Sequence, residues 1–203
     1  MLIEVSRSLP NDIKWLTFVG IGKGLVTAYL SQPQTVVIAA VRDPSHNTSQ
    51  SLTQLPSAIG SRLVIIQLDV GSSVSIAQGV ESLIITHNIN HIDVVISNAG
   101  FGEVTGKLID TPLSVMQDYI NVNAYGPLEL FKATLPLLRK AQKPKFCIIS
   151  SIGGSNNALN MMLPTAPYNA SKLLVTHFAR WLATEAPEVI TWTMHPGYVV
   201  LLV

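Results

Sequence analysis

The chain of 203 residues is 48% hydrophobic and 12% charged, with a formal net charge of +1. That balance fits one layered α/β domain built on a sheet covered on both faces, and it leaves no basic footprint for nucleic acid or an acidic membrane surface. The single cysteine, Cys147, excludes an internal disulfide and suits a reducing compartment.

Residues 1–10 lack the long apolar stretch of a signal peptide, and no continuous apolar run reaches the ~18 residues of a membrane span. A soluble, cytoplasmic protein is expected. An apolar run at 13–19 precedes Gly20-Ile21-Gly22-Lys23-Gly24, after which Leu25, Val26, Ala28, Tyr29 and Leu30 mark a helix face. Strand, glycine turn and helix form a phosphate-cradling arrangement. Residues 36–41 are a β-branched run of buried-strand type that closes a first β-α-β unit, with Arg42 at its end. An acidic residue there would hold a ribose 2′-hydroxyl, whereas arginine can pair with a 2′-phosphate. Arg42 therefore points to NADP(H) ahead of NAD(H), with a solvated strand-end arginine as the plain alternative.

Residues 51–59 read as a short helix and 63–68 as a third strand. It ends at Asp69-Val70, where the carboxylate either touches an adenine or serves only as a turn residue. A helix over 73–87 leads to a strand at 92–96 and to Ser97-Asn98-Ala99-Gly100, whose small residues let a backbone approach a ligand. The long helical pattern at 112–141 contains Asn123, a polar residue that needs partners if buried, and Pro127, which predicts a kink or break. A fifth strand at 146–149 runs into Ser150-Ser151-Ile152-Gly153-Gly154-Ser155. A helix at 167–186 follows, and then a sixth strand at 189–194 ending in His195-Pro196-Gly197-Tyr198-Val199. The order implies a three-layer, doubly wound parallel α/β sheet of Rossmann-like type with about six strands. Every motif falls at the carboxyl end of a strand, where such sheets bind ligands.

Tyr168 and Lys172 stand four apart on the last helix, so the ammonium can reach the space beside the phenol. A cation held there favours the phenolate and suits the phenol to proton donation. A nearby serine hydroxyl would polarise the same substrate oxygen. A surface pair on a helix is the plain reading of the two residues taken alone. No Gly-x-Ser-x-Gly elbow supports a serine hydrolase, and the five histidines form no convincing metal-ligand cluster.

Taken together, Gly20-Ile21-Gly22, Asp69-Val70, Asn98-Ala99-Gly100, Asn123, Ser150-Ser151, Tyr168-x-x-x-Lys172 and Pro196-Gly197 resemble the short-chain dehydrogenase/reductase family, in its order and over nearly the whole chain. The stretches 22–26 and 37–44 further resemble its fungal norsolorinic-acid-ketoreductase-like branch. The resemblance implies that Tyr168 donates the proton, that Lys172 lowers its pKa and holds the nicotinamide ribose, and that Ser151 polarises the carbonyl, with Ser155 as the other serine in range. It implies that Asn123 holds a relay water. Gly20, Ile21, Gly22, Arg42, Asp69, Val70, Asn98, Ala99, Gly100, Pro196, Gly197 and Val199 would line the cofactor. The expected function is NADP(H)-dependent reduction of a ketone or aldehyde to an alcohol, with a polyketide-type ketone as the narrower expectation. A small-molecule substrate is expected, with no nucleic acid, membrane or metal, and a homo-oligomer is left open.

Two departures from the family pattern bear on activity. Thr17-Phe18-Val19 runs straight into Gly20, with the family's first glycine missing, so the phosphate loop is short and weak dinucleotide binding is expected. Val200-Leu201-Leu202-Val203 stands where relatives continue into a substrate-covering segment, a helix and a seventh strand. With an atypical entry at 1–12 in a single domain of 1–203, this pattern resembles a truncated reading frame. Low activity and poor solubility are expected on that basis. The competing reading is therefore a non-catalytic or impaired dinucleotide-fold protein, a cofactor sensor or binding partner.

Overall fold

The computed structural model describes residues 2–6, 14–15, 20–103, 105–157 and 164–197. Seven strands form one sheet among these residues: β1 Leu2–Ser6, β2 Lys14–Trp15, β3 Thr35–Val41, β4 Arg62–Gln67, β5 Val94–Ser97, β6 Lys145–Ile149 and β7 Ile190–Met194. Their spatial order is β4-β3-β2-β1-β5-β6-β7. From β2 the chain winds outward through β3 to β4, crosses back to β5, and winds outward again through β6 to β7. The parallel pairs β3–β4, β5–β6 and β6–β7 run in continuous register, with Val37 opposite Leu63, Val95 opposite Phe146 and Cys147 opposite Trp192.

All seven residues of β3 are buried, as expected of a strand covered on both faces. The helices α1 Ile21–Leu30, α3 Ser73–Ile85, α5 Gly126–Leu138 and α6 Ala166–Glu185 supply the cover. α1 buries Gly22, Val26 and Leu30, a stripe at four-residue spacing, and packs on β3. α3 packs on α5 and α5 on α6. Right-handed crossovers place α1 on one face and α3, α5 and α6 on the other, because the winding direction reverses after β4. Phe131 of α5 meets Phe146 of β6 edge to face, with centroids 4.9 Å apart. Each large side chain so buried contributes roughly 1.5–3 kcal/mol relative to exposure.

Three elements differ from the sequence-based expectation. The helix expected at 51–59 is instead α2 Asn47–Gln50 followed by a 3₁₀ turn Ser51–Gln54. Pro56 disfavours helical dihedrals at Leu55, whose ψ is 137°, and the His46 side chain caps the earlier start by accepting from the Thr48 N–H. The long pattern at 112–141 divides into α4 Leu113–Ile120, a π turn Asn121–Tyr125 and α5. Pro127 causes this. It has no N–H for the Asn123 carbonyl, and its ring would collide with that carbonyl in a regular helix, so the preceding turn widens. Finally, the entry segment contributes β1, which pairs antiparallel with β2 and β5 in the middle of an otherwise parallel sheet. The apolar run at 13–19 appears only as β2, because residue 13 and residues 16–19 lie outside the described residues.

Candidate active site

Tyr168 and Lys172 lie in the first two turns of α6, which opens with Pro167 in a position that needs no N–H. Lys172 is 4% exposed. Its Nζ donates to the Ile149 carbonyl at 2.8 Å and lies 5.7 Å from the centre of the Tyr168 ring. Ile149 ends β6, so the ammonium is tied to a strand terminus while facing the phenol. Burial pushes the Lys172 pKa down from its ordinary value to about 8.

The serine loop reaches the same helix because two glycines allow it. A Cβ on Gly153 would collide with the Asn169 side chain, and one on Gly154 would lie 2.6 Å from Ser150 Oγ and 2.8 Å from the Lys172 carbonyl. The three serines have separate surroundings. Ser150 is buried, with its hydroxyl 3.0 Å from Thr176 Oγ1 and its N–H donating to the Met194 carbonyl. Ser155 is exposed at the far end of the 3₁₀ turn Ile152–Gly154. Ser151 is half-buried at the strand end, and its Oγ accepts from the Gly153 N–H at 3.2 Å. An accepting Oγ keeps its own proton for a substrate oxygen.

Asn123 is fully buried in the π turn and has its partners. Its Oδ1 accepts from the Phe101 N–H at 3.0 Å, while Nδ2 donates to the Phe101 carbonyl at 2.9 Å and to Ser171 Oγ at 3.0 Å. Both amide hydrogens are thus used, and the side chain grips the loop after β5. The expected relay role would fall to its backbone carbonyl, the group that Pro127 deprives of an α-helical donor. A Cβ on Gly100 would lie 2.9 Å from Asn123 Oδ1 and 3.3 Å from Lys172 Nζ. Gly100 is therefore where the loop, Asn123 and Lys172 converge.

The residues expected to line a dinucleotide stand at the start of α1 and just after β3, β4, β5 and β7. Gly20 precedes α1 with φ 91°, and among the described residues no side chain caps the helix and no acidic residue lies in its first turn. The leading N–H groups are thereby left for an anion, which fits a dinucleotide phosphate. Ile21 and the buried Gly22 follow. Arg42 is exposed at the end of β3, and its carbonyl accepts from Gln67 Nε2. Asp69 has the turn geometry offered as its alternative, with Oδ1 accepting from the Gly71 N–H at 2.9 Å. Val70 is buried, with its carbonyl 2.6 Å from where a Cβ of Gly126 would stand. Asn98 and Ala99 are half-buried after β5, and Pro196 and Gly197, the latter with φ 79°, follow β7. Val199 lies outside the described residues. Among the described residues no group of three or more His, Cys, Asp or Glu side chains is placed to hold a metal.

Sequence reasoning passed over Tyr119, Ser171 and Gly102. The Tyr119 hydroxyl accepts from the Glu103 N–H at 2.9 Å and its ring packs on Phe101. A Cβ on Gly102 would meet the Tyr168 ring at 2.7 Å. The only sequence signal for these residues was their closeness to Asn98-Ala99-Gly100, Asn123 and Tyr168.

The family model for short chain dehydrogenase matches residues 17–200. Short chain dehydrogenase gsfK of Penicillium aethiopicum is 50% identical over 183 residues, covering 89% of this chain and 72% of the relative. Norsolorinic acid ketoreductase nor1 of Dothistroma septosporum is 36% identical, covering 97% of this chain and 77% of the relative. Among solved structures, NADPH-bound carbonyl reductase from chicken fatty liver superposes with a TM-score of 0.81 at 27% identity, over 90% of this chain and 74% of that one. On the extent of the family match and these identities, the chain belongs to the short-chain dehydrogenase family and is an oxidoreductase of that type.

Proposed function

We propose that this protein reduces a polyketide-type ketone to an alcohol with NADPH, using Tyr168, Lys172, Ser151 and Asn123. The observation that carries the reading is the buried Lys172 ammonium, fixed to the Ile149 carbonyl and facing the Tyr168 ring beside the Ser151 turn. The nicotinamide, when bound, supplies the hydride. The chain must then orient the carbonyl and deliver one proton. Ser151 Oγ donates a hydrogen bond to the carbonyl oxygen, the Tyr168 hydroxyl transfers its proton there, and the Lys172 ammonium stabilises the phenolate that remains. In this reading the same ammonium would hold ribose hydroxyls of the bound dinucleotide.

Two further observations support the substrate and cofactor assignments. Phe101 is 38% exposed, Ile152 40% and Met194 45%, each at a loop or strand end bordering these residues. Such surface favours an apolar substrate and helps exclude water. It accords with the norsolorinic acid ketoreductases of Dothistroma septosporum and Emericella nidulans among the relatives. Arg42 at the end of β3 supports NADPH over NADH, as does the NADPH-bound carbonyl reductase among the structural neighbours.

The test is turnover of an aromatic ketone by the purified chain with NADPH and with NADH, alongside dinucleotide titration. Tyr168→Phe is expected to abolish reduction and leave the NADPH Kd within about twofold, since the phenol hydroxyl is used only in the chemical step. Full activity in that variant would refute the proton-donor assignment. NADPH binding without turnover in the unaltered chain would favour the sensor reading.

A further inference from the structure

We propose that Gly102 sets the position of the Tyr168 ring, so that the loop after β5 is a positioning device for the proton donor. The inference rests on the reading that Tyr168 delivers the proton. A Cβ on Gly102 would stand 2.7 Å from Tyr168 Cδ2, 2.9 Å from Cε2 and 3.2 Å from Cγ. Those distances lie inside contact range, so the ring already rests on the bare Cα of residue 102. Any side chain there forces either the loop or the ring to move.

The loop is the part held fast. Asn123, buried in the π turn, grips Phe101 through both its N–H and its carbonyl, at 3.0 and 2.9 Å, and Ser171 Oγ takes the remaining amide proton of Asn123. The Ser171 hydroxyl donates in turn to the Tyr168 carbonyl at 2.7 Å, tying the clamp to the turn of α6 that bears the phenol. On the other side of Gly102, the Tyr119 hydroxyl accepts from the Glu103 N–H at 2.9 Å, and the Tyr119 ring lies 4.3 Å from that of Phe101. Residues 101 and 103 are thus pinned from α4 and the π turn that follows it, with Gly102 between them. An added methyl group must displace the Tyr168 ring, whose Cα–Cβ bond leaves it free to swing. A phenol oxygen moved by a fraction of an ångström delivers its proton less well, whereas the dinucleotide contacts elsewhere are untouched.

Gly102→Ala is expected to lower kcat on the order of a hundredfold, with the NADPH Kd unchanged and the solvent deuterium isotope effect on kcat increased. The isotope effect separates positioning from lost fold, because a smaller folded fraction scales the rate without making proton transfer more rate-limiting. Tyr119→Phe keeps the ring packing but frees the Glu103 N–H, so it should lower kcat less and soften the effect of Gly102→Ala in the double variant. Should Gly102→Ala fail to fold, Tyr119→Phe alone carries the test through the same isotope effect. If Tyr168→Phe is inactive while Gly102→Ala and Tyr119→Phe keep native kcat and isotope effect, Gly102 does not position the donor. If Tyr168→Phe retains activity, the proton-donor reading itself has failed.

Discussion

The proposed chemistry requires the Lys172 ammonium charged in a place where charge is costly. Burial lowers its pKa from 10.5 to about 8 in the folded chain, while the unfolded chain keeps the ordinary value. Between those pH values the unfolded state holds more protons, so stability rises with pH across that window, and below it the cost is present in full. The span is worth on the order of 3 kcal/mol. Native protein should therefore gain stability relative to Lys172→Met as pH is raised from about 7 to about 10, read as the difference in denaturant midpoints. A constant difference would show that Lys172 is not desolvated. The same titration should make kcat/KM for NADPH fall above about pH 8, because that ratio reports the free enzyme. At Arg42 the expected loss is in selectivity. Arg42→Ala should narrow the NADPH-over-NADH preference by roughly 10- to 100-fold, the value of a charged hydrogen bond of about 1.5–3 kcal/mol, and full discrimination in the variant would remove the role. That Tyr168, Lys172 and the Ser151 turn come together was legible in the sequence because the proposed chemistry demands fixed residue types at near-fixed spacing. Gly102 and Tyr119 were not, since what matters about them is what stands opposite across 66 and 16 positions of chain.

Among the elements, the glycines show how little a residue's type says without its neighbours. Gly24 sits within α1, exposed, where an added Cβ would meet nothing among the described residues within 4 Å. Gly24→Ala should stabilise the chain by about 0.5–1 kcal/mol through helix propensity and a restricted unfolded state. Gly126 opens α5, but its Cβ would lie 2.6 Å from the Val70 carbonyl and 3.2 Å from Val70 Cβ. Gly126→Ala should destabilise by ~1–3 kcal/mol, because backbone rather than a flexible side chain is in the way. Paired thermal melts decide both, and the same sign for the two variants would contradict the packing described. The apolar periodicity of α1, α3 and α6 was readable because one face of each is buried along its length. The π turn was readable only in part. Pro127 announced a break between α4 and α5, but the widening one turn earlier depends on where the Asn123 carbonyl goes, which no hydrophobic pattern records. Pro56 likewise ended a helix that Ser- and Thr-rich sequence left ambiguous.

At the scale of the whole sheet, the parallel order and its reversal were legible from alternating strand and helix patterns, and β1 was not. Five residues of entry sequence cannot announce that they will pair antiparallel with β5 in the middle of the sheet. That sheet also supplies a probe of its own integrity. Cys147, the single cysteine, is 1% exposed on β6, opposite Ile96 on β5 and Trp192 on β7. Burial drives its thiol up to about 12, so in the folded protein it is neither ionised at neutral pH nor reachable, and only the thiolate attacks an alkylating reagent. Labelling must await separation of β6 from its neighbours, an opening that also dismantles the strand ends holding Ser151 and the Ile149–Lys172 bond. Dinucleotide binding to the closed form alone should then slow labelling by one plus the ratio of ligand to Kd, about tenfold at nine times Kd. Iodoacetamide labelling followed by mass spectrometry, with and without NADPH, measures this directly. Slowing that matches the titrated Kd would make the site and the central sheet one cooperative unit. A labelling rate indifferent to bound NADPH would mean that β6 opens locally, while the dinucleotide site stays intact.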